Sequence, residues 1–182
     1  MSVDTTKVEG RRTLKFNSLD DILADLERLN QGPVRNLGNW TPGQLLKHLT
    51  MPMVWCLDGT SLRSPWHMRF FGWLIKNRIL NSPMPAGFKM PADLAERMPP
   101  SETTWEDGLQ TLRAVIARLK AESQRYPSPF LGELTRQQWD QLHCRHCELH
   151  LSFLIPADRS AAVRAGANGL PSPSGRGAGG EG

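Results

Sequence analysis

Leu19, Ile22, Leu23, Leu26 and Leu29 recur every three or four residues, the spacing of one buried face of an α-helix. Ser18 precedes them as a cap, Asp20 and Asp21 suit the positive N-terminal end, and Gly32-Pro33 ends the run. A second helix opens at Thr41-Pro42-Gly43-Gln44, a capping box with proline at the first helical position. Leu45, His48, Leu49 and Pro52 follow along one face, Pro52 is expected to kink or restart the helix, and Asp58-Gly59 is its stop. A third opens at Thr104, with Asp107 three residues on. It buries Leu109, Leu112, Val115, Ile116 and Leu119, and closes at Tyr126-Pro127-Ser128-Pro129. The fourth starts at Thr135 with Gln138 completing a box, and runs through Trp139, Leu142, His146, Leu149 and Phe153 to Pro156. No sustained alternating pattern competes as strand.

Four amphipathic rods, each expected to span about 15 to 22 residues, predict an all-α four-helix bundle. Between the second and third helices, residues 60–103 carry six prolines and cannot be one helix. Pro65 to Leu80 fits a short helix with Trp66, Phe70, Trp73 and Leu74 facing inward, and the Pro-rich stretch after it reads as irregular loop. The bundle is expected over residues 12–157, after a flexible N-terminus at 1–11. Residues 158–182, rich in Gly, Ala, Ser and Pro, read as a disordered tail with too little apolar surface to offset the entropy of ordering.

Composition narrows the function. The chain has 182 residues and a formal charge of +4, yet its 22 bases and 18 acids are interleaved without a basic block. That argues against nucleic acid as the partner. No apolar run is long enough to span a membrane, and the polar N-terminus lacks a signal-peptide core. Three cysteines, two of them three apart, do not make a disulfide framework. The expectation is a cytoplasmic protein acting on a small molecule, without nucleic-acid or membrane partners, with a homodimer left open.

The histidines carry the candidate chemistry. His143, His146 and His150 fall within about 60° of one another on the helical wheel, on the stripe marked by Trp139 and Phe153. Buried imidazoles need partners for two ring nitrogens each, and a metal ion satisfies several at once. His146 and His150, at i and i+4, can converge on one ion, and His48 is the candidate third ligand from the second helix. Such a site keeps positions open for water or substrate. Zinc is favoured, with nickel or iron as alternatives. His143 is a candidate fourth ligand, second-shell partner or proton-transfer group. Proton competition should weaken metal binding below about pH 6. Cys144 and Cys147 read as incidental and Cys56 as core. Arg145 and Glu148 read as a solvated face, His67 as a rim residue, and Asp58 as a turn residue that could reach a ligand imidazole.

FNSLDDILADLERL, LGNWTPGQLLKHLT and FLGELTRQQWDQLHCRHCELHLSFL together resemble the DinB/YfiT-like superfamily of metalloenzymes, in a bacterial branch of unknown function. The resemblance spans about Arg12 to Pro156. It implies an up-down-down-up bundle with metal ligands at His48, His146 and His150, and leaves His143 outside the ligand set. Relatives include S-transferases and isomerases that use low-molecular-weight thiols. The leading expectation is therefore a divalent-metal-dependent enzyme, a thiol S-transferase acting on small electrophiles held under the Trp-rich middle segment. The alternatives are a metal-dependent hydrolase, a non-catalytic metal-stabilised helical binding protein, and a helical interaction module without metal.

Overall fold

The computed structural model describes residues 2–62, 64–87 and 97–157, so the expected tail at 158–182 and part of the Pro-rich loop, 88–96, lie outside the described residues. Among the described residues there are five helices: α1 (Leu19–Leu29), α2 (Pro42–Asp58), α3 (Trp66–Asn81), α4 (Trp105–Ala121) and α5 (Arg136–Leu151). Two three-residue strands, β1 (Val34–Asn36) and β2 (Leu154–Pro156), complete the fold. The protein is mostly α, and α1, α2, α4 and α5 pack around a common core.

The helix starts follow the local chemistry. Ser18, Thr41 and Thr135 each accept a hydrogen bond from the backbone N–H three residues on, and Asp21, Gln44 and Gln138 reciprocate as complete capping boxes. Thr104 caps α4 by accepting from the Asp107 N–H. α2 runs unbroken past Pro52, so the expected restart does not occur. Pro52 does deprive the His48 carbonyl of its helical donor. α1 is shorter than expected, at 11 residues.

α2 and α4 make the most extensive helix pair because two glycines let their backbones meet. A Cβ on Gly43 would lie 2.2 Å from the Thr104 carbonyl oxygen, and one on Gly108 would lie 2.6 Å from that of Gly43. Around this crossing Leu46, Leu49, Met53, Leu112, Ile116 and Trp139 are fully buried.

Three expectations are corrected. First, α5 ends at Leu151, and the residues after it pair antiparallel with β1, with Arg35 opposite Ile155. Six residues carry too little alternation to announce a sheet. Second, Arg145 and Glu148 are not a solvated face. They form an ion pair at 2.7 Å, with side chains 14% and 8% exposed, and both bind the Phe16 backbone: Glu148 accepts from its N–H and Arg145 donates to its carbonyl. Residues 11–16 lie along the back of α5, so that helix is buried on two sides. Third, the Trp66, Phe70, Trp73 and Leu74 stripe of α3 shares one face but is turned to solvent, each side chain more than half exposed. Gly72, on the far side, presses against the Phe130 carbonyl, where a Cβ would lie 2.2 Å from the oxygen.

The segment before α1 is tied down as well. Arg12 forms a two-pronged salt bridge to the fully buried Asp25 at 2.8 and 2.7 Å and also donates to the Leu151 carbonyl. Arg11 donates to Ser152 Oγ and the Leu149 carbonyl, with its guanidinium 4.0 Å from the Phe153 ring centre. No helix among the described residues is long and apolar enough to cross a membrane.

Candidate metal centre

His48 stands on the second turn of α2, and His146 and His150 stand on the last two turns of α5. The fold brings all three together. Ring centroids lie 5.2 Å apart for His48 and His146, 4.8 Å for His48 and His150, and 4.6 Å for His146 and His150. The rings meet edge to face, at 66°, 69° and 85°, and one nitrogen from each falls within 4.8 Å of the others. In a tetrahedral shell with bonds near 2.05 Å, neighbouring nitrogens are about 3.3 Å apart, so shifts of about an ångström close the triad on an ion.

Electrostatics prepare the same chemistry. Burial lowers the His48 pKa to about 4 and that of His150 to about 3, with the neighbouring histidine and Arg11 adding to the His150 shift. Burial holds His146 well below its ordinary value, helped by the surrounding imidazoles. The three rings are therefore neutral at physiological pH and keep their lone pairs available. Nδ1 of His48 and of His146 is enclosed without a protein hydrogen-bond partner, a vacancy in bonding that a metal ion or its ligands can fill.

His143 lies one turn before His146, completely buried and stacked on Trp139 at 5.3 Å, with neither ring nitrogen bonded to a protein group. Burial first, and Arg125 second, lower its pKa to about 3. It is not among the three residues whose donor atoms converge. The thiols stand apart from the site's chemistry. Burial pushes Cys56 and Cys144 up to about 12 and Cys147 well above its ordinary value, and none of the three is among the residues whose donor atoms converge. Asp58 does not reach a ligand imidazole; Arg118 holds it at 2.6 and 3.0 Å. His67 is exposed, as expected of a rim residue.

Two further residues at the site carry no sequence signal. Trp40 packs on His48 at 4.7 Å and stacks on His150 at 5.5 Å, forming a wall beside the triad. It is placed by Asn36, which donates from Nδ2 to the Trp40 carbonyl and accepts from the Gly38 N–H. The β1–β2 pairing fixes Asn36 against Leu154, so the small sheet delivers the Trp40 loop to the end of α5. Arg11 is the second. Its contacts to Leu149, Ser152 and Phe153 bring a positive charge close to His150. The aromatic wall is thus Trp40, and the α3 rings expected to cover a substrate face solvent instead.

A family model described as protein of unknown function (DUF1569) matches residues 8–157. The chain belongs to the DUF1569 family. The matched stretch contains all five described helices and the three converging histidines. No curated protein and no solved structure matches the chain.

Proposed function

We propose that this DUF1569 protein holds one divalent metal ion between His48, His146 and His150 and is a metal-dependent enzyme, a thiol S-transferase acting on small electrophiles. The observation that carries the metal assignment is the meeting of three neutral imidazoles from two helices, edge to face, with donor atoms within 4.8 Å. The donor set is all nitrogen, which favours zinc, with nickel or iron as the alternatives. The resemblance to DinB/YfiT-like metalloenzymes supports the thiol as co-substrate. A bound ion of this kind supplies Lewis acidity that lowers the pKa of a ligated thiol or water.

The chain's own residues supply the rest. His146 and His150, one turn apart on a helix stapled to the Phe16 segment, present a fixed pair of donors, and His48 approaches from the facing helix. Trp40 closes one side and gives an aromatic surface for a small substrate. Arg11 places a cation near His150 that favours an anionic nucleophile over its neutral form.

The test is turnover by zinc-loaded protein offered a chlorinated aromatic or an epoxide, with and without a low-molecular-weight thiol. Consumption that requires both thiol and metal, and is lost in His48→Ala, supports transfer. Ester cleavage without thiol replaces that reaction with hydrolysis on the same centre. A full equivalent of metal with no turnover of either kind leaves a non-catalytic metal-stabilised protein.

A further inference from the structure

α3 turns apolar side chains to solvent over most of its circumference. Trp66, Phe70, Phe71, Trp73 and Leu74 are each more than half exposed, and Met68 is 47% exposed. At about 100° per residue these six spread over an arc of about 220°. Gly72 occupies the remaining side and presses against the Phe130 carbonyl, which fixes the rotation of the helix. All six fall between Trp66 and Leu74, and Lys76, Asn77 and Arg78 occupy the next turn. The charge is one-sided. α3 contains Arg69, Lys76 and Arg78 and no Asp or Glu. Glu133 is the one acid lining the groove beside Arg69 and Lys76, so with His67 counted neutral three cations stand against one acid, a net charge of about +2. Elsewhere on the surface Arg113, Arg118 and Lys120 are held by Glu27, Asp58 and Asp20. Among the described residues no carboxylate pairs with Arg69, Lys76 or Arg78.

We infer that α3 is a membrane-surface helix that seats the protein on anionic phospholipid. A rigid partner covers one side of a helix, whereas the fluid boundary between headgroups and acyl chains closes around apolar side chains over the whole arc. Trp and Phe are the residues that suit that depth. Arg69 and Lys76 stand at one margin of the arc and Arg78 in the turn beyond it. From there their heads reach lipid phosphates while their aliphatic stems stay beside the rings. Nucleic acid fits the same charge less well, because Met68 and Leu74 stand among the rings where base stacking needs flat faces. With 16 residues and three cations, α3 lies along the surface and does not cross it. This departs from the expectation of no membrane partner, which rested on the missing spanning run and signal segment.

Flotation of the full chain with phosphatidylcholine vesicles, with and without about 30 mol% phosphatidylglycerol at about 0.1 M salt, tests the inference. Each net positive charge tightens binding about 5-fold, so the anionic vesicles should bind about 30-fold more tightly than the neutral ones. Arg69→Glu/Arg78→Glu, at two exposed positions, should abolish that preference. Phe70→Ser/Trp73→Ser should weaken binding to both vesicles at least ~10-fold with circular dichroism unchanged. Trp66→Ser is the second variant should that one lose helicity, and it too should bind more weakly. No flotation at millimolar anionic lipid overturns the inference, as do equal binding to the two vesicles and folded variants that bind like wild type. A dimer that stays off the vesicles also overturns it, assigning the face to a second copy, and oligonucleotide binding without vesicle binding assigns it to nucleic acid.

Discussion

Replacing Arg12 by Met is expected to cost about 2–4 kcal/mol of folding stability, and the reason is Asp25. That carboxylate has no exposed surface, and Arg12 grips both of its oxygens at 2.8 and 2.7 Å. Breaking a buried pair by removing one partner costs about 3–5 kcal/mol, because the remaining charge is left in low dielectric. Two features reduce that here. The Arg12 side chain is 23% exposed, so water reaches the vacated place, and Arg28 still approaches Asp25 at 3.1 Å from a side chain that is 72% exposed. Urea denaturation followed by circular dichroism reads the loss, which should lower the melting temperature by about 5–15 °C for a domain of this size. Arg28→Ala, by contrast, should cost under about 1 kcal/mol. The double variant Arg12→Met/Asp25→Leu should recover most of the stability, because it removes the stranded charge. A loss below about 0.5 kcal/mol in Arg12→Met, or a double variant worse than the single one, would refute the reasoning.

Four other outcomes follow from the same structure. The metal-free protein should lose stability as pH falls below about 6.5, since the unfolded chain protonates its histidines there while folded His48 resists to about 4 and His143 and His150 to about 3; the slope is up to ~1.4 kcal/mol per pH unit for each, and denaturation midpoints that hold steady from pH 7.5 to 5.5 would contradict it. Gly43→Ala should cost about 1–3 kcal/mol by forcing α2 from the backbone of Thr103 and Thr104, and an unchanged melting temperature would show that the crossing can open freely. Trp40→Phe should remove most of the fluorescence quenching that Co(II) or Ni(II) produces, because Trp40 is the indole in contact with two of the triad rings; equal quenching in wild type and variant would place the ion elsewhere. His143→Ala should keep most bound metal, and elemental analysis showing its loss would make His143 a ligand.

Much of the fold is legible because helix starts are local chemistry. Ser18, Thr41, Thr104 and Thr135 meet their partners three residues away, whatever the rest of the chain does. The convergence of His146 and His150 is legible for a similar reason, being a property of one helix. What periodicity cannot tell is which side of a face is covered. The α3 stripe is a real stripe, but Gly72 and Phe130, far apart in sequence, decide that it points outward. The helical wheel misleads at Arg145 and Glu148 because it assumes one buried side, whereas α5 is covered on a second side by residues 11–16. Trp40 and Arg11 reach the site through the β1–β2 pairing and the N-terminal segment, contacts that no periodic signal records.

The account stands on three imidazoles sharing one ion, and calorimetric titration of metal-free protein with zinc at pH 7.5 tests it most directly. One equivalent should bind to the wild type, and His48→Ala, His146→Ala and His150→Ala should each lose that binding while keeping their helical content. Uptake well below one equivalent by folded wild type, or unchanged uptake in any of the three variants, would contradict it.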